Sequence, residues 1–191
     1  MNLKCCLRSL ILGILLENFV LAELPDNLKK LEWIIGKWEG QFHGKVRWPT
    51  IPTMTYGEIL TIAEAPVAAA AGISFLNYSA VSWSHSTKDH LHDEWGYLGV
   101  NRNGVATLMT TGNNGFNKIE EGPAQYGLLV LDLKEIGRIS FSRDLPVKNL
   151  RRTFRILDSK HMEQVLDMQT DTHPKYDGTQ EHARIIYERV A

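Results

Sequence analysis

The chain has 191 residues, with 21 Lys plus Arg against 22 Asp plus Glu and a formal net charge of −1. That length allows one folded unit with a real core, and the even charge balance supplies no basic face for a nucleic-acid backbone. The two cysteines, Cys5 and Cys6, are adjacent and near the start, so neither a disulfide framework nor a cysteine-based zinc site can be built in the body of the chain.

Residues 1–22 read as a signal peptide. Lys4 and Arg8 make a positive start, Leu10 to Leu16 is a short apolar run, and Val20-Leu21-Ala22 puts a small residue before a cleavage point. Glu17 and Asn18 interrupt the apolar stretch, which falls well short of the ~20 residues of a stable membrane span. An anchor acylated on Cys5 and Cys6 is the alternative to cleavage. The expected destination is the secretory pathway, with the cytoplasm as the alternative. Cleavage would leave a mature chain from Glu23 without cysteine.

Residues 23–191 contain no repeat, low-complexity tract or linker and read as one domain. Pro25-Asp26-Asn27 starts a short helix in which Leu28, Leu31, Ile34 and Ile35 recur at helical spacing before Gly36. Gly36 to Gly40 opens the first strand, with Trp38 as a structural plug for the closed end of a core. Trp48-Pro49-Thr50-Ile51-Pro52 reads as a stiff loop, because prolines cannot continue a central strand. Such loops can present a hydroxyl, an N–H or an aromatic face to a ligand. Tyr56 to Ile62 alternates in part. The run Ala63 to Ser82 has helix propensity around Ala68 to Ala71, which the sheet context is expected to override. Within it Asn77-Tyr78-Ser79 is a glycosylation sequon, meaningful only in a secreted chain.

His90 and His92 would share one strand face, a spacing seen in zinc sites, with His85 as a candidate third ligand. Two histidines are a weak signal, and a hydrogen-bonded strand histidine accounts for either one. Further strands are expected over Leu128 to Leu133, Arg138 to Arg143 (Ile139 and Phe141 facing one way), Arg152 to Ile156 and Met162 to Met168. Turns are expected at Asn101 to Gly104, Gly112 to Gly115, Glu121 to Pro123 and Leu157 to Lys160. Many short strands in sequence with almost no helix indicate an antiparallel sandwich or a closed up-and-down barrel. Closure would remove strand edges and could keep a cavity for one small ligand.

The C-terminal part places His173 and His182 on either side of a turn-rich loop. A neutral imidazole can hold a metal or haem iron through one nitrogen while a hydrogen bond orients the other. No H-E-x-x-H, G-x-S-x-G, phosphate-cradling glycine loop or dinucleotide fingerprint is present, so an ordinary hydrolase or dehydrogenase lacks support.

Several segments together resemble nitrobindin, the haem-binding barrel family that also forms the C-terminal domain of a THAP-type zinc-finger protein. Leu31-Glu32-Trp33-Ile34-Ile35-Gly36-Lys37-Trp38 is similar to its L-x-W-hydrophobic-x-G-x-W opening. Trp48-Pro49-Thr50 stands where the family usually has Y-P-T, followed by Tyr56-Gly57-Glu58. Leu91-His92-Asp93-Glu94-Trp95-Gly96-Tyr97 looks like its M-H-x-E-x-G segment, and Gly115 to Gly122 like its G-x-x-E-V-x-x-G hairpin. Arg138 to Phe141, Met168 to Pro174 and His182 to Val190 complete the series.

The resemblance implies an all-β, closed antiparallel up-and-down barrel of about ten strands, lipocalin-like, with a short N-terminal helix. It implies haem b bound at one end, with His182 as the iron ligand. Pro49, Thr50 and Ile51 would lie against the haem edge, and His92 and Met168 would line the pocket. Family members hold mainly ferric iron, bind nitric oxide and isomerise peroxynitrite to nitrate, so these small molecules are the expected partners and peroxynitrite isomerase the expected enzyme. The alternatives are a secreted, non-enzymatic carrier of haem or another small apolar ligand, and an interaction protein with a degenerate pocket. The chain departs from the family pattern in four places. The loop around Lys175-Tyr176-Asp177-Gly178 is longer, leaving His173 as a rival ligand. Trp48 replaces a tyrosine, Gly112 stands near a position often held by glutamine, and the segment from Pro66 to His92 is longer. The signal peptide is a further departure, since well-known relatives are intracellular.

Overall fold

The computed structural model describes residues 24–65 and 74–190. The signal-peptide reading of residues 1–22 lies outside them. A short 3-10 helix, Lys29–Ile34, precedes ten strands. These are β1 Gly36–Trp48, β2 Ile51–Glu64, β3 Phe75–Ser84, β4 His90–Val100, β5 Val105–Gly112, β6 Phe116–Pro123, β7 Leu128–Arg138, β8 Val147–Ile156, β9 His161–Thr170 and β10 Gln180–Arg189. Each pairs antiparallel with its neighbours in sequence, and β10 returns to β1 through Trp38↔Arg189 and Val46↔Ala183. The result is the closed up-and-down barrel that the strand-and-turn succession predicts.

The helix is 3-10 rather than α, which suits its apolar spacing: Leu28, Leu31 and Ile34 recur every third residue and are all buried. It caps one end of the barrel. Trp38 Nε1 donates to the Ile34 carbonyl at 2.9 Å, and Trp33 Nε1 to the Gln125 carbonyl at 3.1 Å. Arg189 on β10 fixes the arrangement from the other side. Its guanidinium lies 4.1 Å from the Trp38 ring centroid and donates to the carbonyls of Ile35 (2.6 Å) and Trp33 (2.7 Å).

Away from that cap, the inward residues change character along the barrel axis. On β2 they run Ile62, Leu60, Glu58; on β3 Leu76, Tyr78, Ala80, Ser82; on β4 Leu98, then Glu94. Across β5 the same step leads from Leu108 to Thr110, and on β8 from Phe154 to Arg152. One half of the interior is therefore a packed apolar core, and the other is polar and charged.

Three sequence expectations change in detail. Beyond Arg138 the chain leaves the sheet, so Ile139 to Arg143 is a loop in which Phe141 is 81% exposed. Arg138 itself turns the chain, donating to the carbonyls of Ser142 (2.6 Å) and Asp144 (2.9 Å). Glu121 to Pro123 belongs to β6, and the turn falls later, at Gly127, whose φ of 76° suits a residue without a Cβ. Pro52 lies inside β2, but β2 gains its β3 partner only at Tyr56, so its missing N–H costs no ladder bond. Of the Ala63 to Ser82 run, Ala63 and Glu64 end β2 and residues 75–82 belong to β3, while the stretch around Ala68 to Ala71 lies outside the described residues. Among the described residues no helix is long and apolar enough to cross a membrane.

Candidate functional site

The polar half of the barrel encloses a cavity of about 520 Å³. Thr50, Ile51, His92, Met168 and His182 all line it. Pro49, the remaining residue expected there, occupies the two-residue turn between Trp48 and Ile51 and is exposed, outside the lining. Arg143, the last residue of the strand expected over Arg138 to Arg143, also lines the cavity, together with Asp144 and Leu145 that follow it in the loop.

His182 is placed by an irregularity in the sheet. Glu181 pairs with Asp167 and Ala183 with Leu166, so His182 is the extra residue of a bulge between β10 and β9. A bulge re-aims one side chain while the strand continues. The ring points its Nδ1 at the Arg47 carbonyl of β1, 3.3 Å away. A carbonyl can only accept, so Nδ1 carries the hydrogen and Nε2 keeps its lone pair. Burial lowers the pKa of His182, with a smaller opposing effect from the Arg47 carbonyl, so the ring favours its neutral form. Trp48, itself buried, stands edge-on to the imidazole with centroids 5.3 Å apart and planes at 88°.

The rival, His173, lies in the loop before β10. Its Nδ1 is 3.0 Å from Thr172 Oγ1, its backbone carbonyl accepts from Thr170 N–H at 2.7 Å, and its peptide bond to Pro174 is cis. It approaches Trp48 at 6.4 Å but is not part of the cavity wall.

His92 takes a separate place from His90. His90 hydrogen-bonds Asp93 and is outside the cavity, whereas His92 Nε2 is 3.5 Å from Glu94 Oε1. His85, the third residue weighed for zinc, packs near Phe42. Among the described residues no group of three or more His, Cys, Asp or Glu is placed to hold a metal ion. Gly112 makes room for His92: a Cβ there would stand 3.2 Å from its Cε1 and 2.7 Å from Asn114 Oδ1.

Below these residues lies a charged floor that sequence reading missed. Arg152, 2% exposed, donates to Glu120 Oε2 at 2.9 Å and meets Glu94 Oε2 at 3.0 Å. It also donates to Tyr78 Oη at 3.2 Å and to Glu94 Oε1 at 3.2 Å, the oxygen that Lys118 also reaches. Burial alone would raise the pKa of Glu94, but Arg152 and Lys118 outweigh it and hold the carboxyl well below its usual range. Glu58 differs. Burial dominates there and raises its pKa despite the hydrogen bond from Tyr187. Gln164 Oε1, buried and facing this cavity, has no hydrogen-bond partner. The signal available in the sequence was a charge on an inward position, as in Leu150-x-Arg152-x-Phe154, but no register was known that made those positions inward.

Comparison with known proteins agrees with the fold. Residues 27–189 match the family described as a THAP4-like, heme-binding beta-barrel domain. An uncharacterized protein of Caenorhabditis elegans is 35% identical over 87% of this chain, which spans 57% of that relative. The rat protein named peroxynitrite isomerase THAP4 is 28% identical over 93% of this chain, which spans 30% of that relative's length. The crystal structure of Rv2717c from Mycobacterium tuberculosis superposes with a TM-score of 0.73 at 26% identity, covering 88% of this chain and 100% of the other. With the family matched from the 3-10 helix to the end of β10, the chain belongs to the nitrobindin family of haem-binding β-barrels.

Proposed function

We propose that this barrel binds haem b in the 520 Å³ cavity, with His182 Nε2 as the iron ligand, and acts on reactive nitrogen species, binding nitric oxide and converting peroxynitrite to nitrate. The observation that carries the reading is the His182 ring itself. Burial favours its neutral form, the Arg47 carbonyl fixes it, and a bulge re-aims it at the cavity wall. Those are the features that a neutral imidazole ligand requires from its surroundings. The cavity volume lies within the range of cofactor sites, and Trp48, Ile51, Leu166 and Met168 give it an apolar side for a porphyrin plane. Haem, when bound, would supply the iron chemistry that no side-chain constellation among the described residues offers.

The chain's own residues hold, orient and enclose. Arg47 and Trp48 fix the His182 ring, while Thr50 and Ile51 border the cavity from the β1–β2 turn. His92 shapes the wall next to Glu94. The relative named peroxynitrite isomerase supports the reaction, and the haem-binding family supports the cofactor.

Stopped-flow decay of peroxynitrite with haem-loaded protein, apo-protein and free haem tests the proposal. Faster decay with nitrate as product for the loaded protein is expected. Equal rates for loaded protein and the same concentration of free haem would leave a carrier rather than an enzyme.

A further inference from the structure

The sequon Asn77-Tyr78-Ser79 lies in β3, with Asn77 and Ser79 on the outer face of the wall that Tyr78 presents to the cavity. Tyr78 points inward and is buried, so Asn77 and Ser79 point outward by strand alternation, as does Phe75. Asn77 is exposed, and its side-chain amide donates to the Glu64 carbonyl at 3.5 Å. The neighbouring strand β4 sets Tyr97 directly opposite Asn77 and Trp95 directly opposite Ser79. Those two aromatics are 49% and 58% exposed. Phe75 lies over Gly99 and contacts Tyr97 at 6.0 Å between ring centroids. Thr61, Ala63 and Met109 extend the same surface into an open depression of about 1050 Å³. Large aromatic rings left facing water over a contiguous area call for a cover.

We propose that Asn77 carries an N-linked glycan whose first sugars lie on the aromatic strip of Phe75, Tyr97 and Trp95. The proposal is independent of the haem reading and rests on residues 1–22 acting as a secretory leader. In the reaction, Asn77 Nδ2 takes the anomeric carbon of an N-acetylglucosamine from a polyprenyl diphosphate donor while the chain is still extended. The C1–O bond breaks, a C1–N bond forms, the lipid diphosphate leaves and the amide gives one proton to solvent. After folding, the attached sugar emerges beside Tyr97 across the ladder and Phe75 along the strand, where cross-strand partners are close enough for direct contact. Sugar rings present C–H faces to aromatic planes and hydroxyls to water, so a covalently held glycan would cover this patch without another protein.

The test uses the full chain expressed in secreting eukaryotic cells. Medium and cell fractions are compared by intact mass and gel mobility, with and without peptide N-glycosidase. One glycan is expected, removed by the enzyme and absent from both Asn77→Gln and Ser79→Ala. The second variant keeps the asparagine, so loss of the glycan cannot be blamed on misfolding at position 77. Secreted chain with the bare polypeptide mass, or unmodified chain retained in the cytosol, overturns the proposal. Hydroxyl-radical footprinting of the secreted protein then reads the cover. Labelling of Trp95 and Tyr97 should rise several-fold after deglycosylation. Equal labelling, or protection in a deglycosylated dimer, would assign the strip to another occupant.

Discussion

The imidazole of His182 and the indole of Trp48 meet edge to face, 5.3 Å apart and at 88°. Trp48 is the last residue of β1 and His182 is the bulged residue of β10, so the contact spans the seam at which the barrel closes. Trp48 thus packs against a cavity-lining histidine whose Nδ1 is turned to the Arg47 carbonyl. His173 touches the same indole from the loop side but contributes nothing to the cavity wall.

The first prediction follows from that contrast. Haem-reconstituted His182→Ala should lose the spectral signature of an axial imidazole, while His173→Ala should keep it. The Soret and visible bands of the two variants decide between them. Loss of the signature only in His173→Ala would transfer the ligand role to the loop.

The second concerns pH. The folded-state pKa of His182 is depressed below its ordinary 6.5 by burial. The unfolded chain therefore binds a proton that the native state resists, and stability is fully present above 6.5 and falls as pH drops through the depressed value. Chemical denaturation of apo-protein from neutral pH downwards should show a steeper loss for the wild type than for His182→Gln over that window. Parallel pH profiles would remove the argument for a neutral buried ring.

How much of this was legible in the chain can be judged from particular residues. The alternation from Tyr56 to Ile62, the Asn101 and Gly112 turns and the threefold apolar spacing of the helix are local signals, and the fold obeyed them. Arg138 to Phe141 carries the same alternation, yet its side-chain bonds to Ser142 and Asp144 bend the backbone out of the sheet. Alternation reports what a strand would look like and is silent on competing hydrogen bonds from a long side chain. The position of His182 could be matched to a family pattern, but its bulge depends on how β9 and β10 slide against each other, which no single strand encodes. Arg152, Glu94 and Glu120 come from β8, β4 and β6, and their meeting exists only once the barrel has closed.

That buried cluster gives the third prediction. Arg152→Met removes the cation between two carboxylates that are almost wholly inaccessible to water. Breaking a buried pair from one side leaves an uncompensated charge, so the unfolding free energy should fall by about 3–5 kcal/mol. Urea denaturation at neutral pH measures it. A loss within error of zero would mean that water enters the cavity floor and solvates both acids.

The fourth addresses the capped end. Arg189→Ala deletes two charge-assisted hydrogen bonds to the helix carbonyls and the contact with the Trp38 ring. A loss of about 2 kcal/mol is expected. Haem affinity per folded molecule should stay unchanged, because the cap lies at the far end from His182. Equilibrium unfolding and haem titration of the same sample separate the two effects.

Seam closure has a consequence for biosynthesis. The side chain proposed to grasp iron belongs to the strand that zips β1 to β9, and its orienting carbonyl, Arg47, was made some 135 residues earlier. A nascent chain still missing β10 would have neither ligand nor sealed wall, however well β1 to β9 had paired. With His182 as the ligand, cofactor loading would be deferred until translation has passed this strand. Ribosome-stalled chains ending before Gln180 should take up no haem, and those extended past Arg189 and clear of the exit tunnel should.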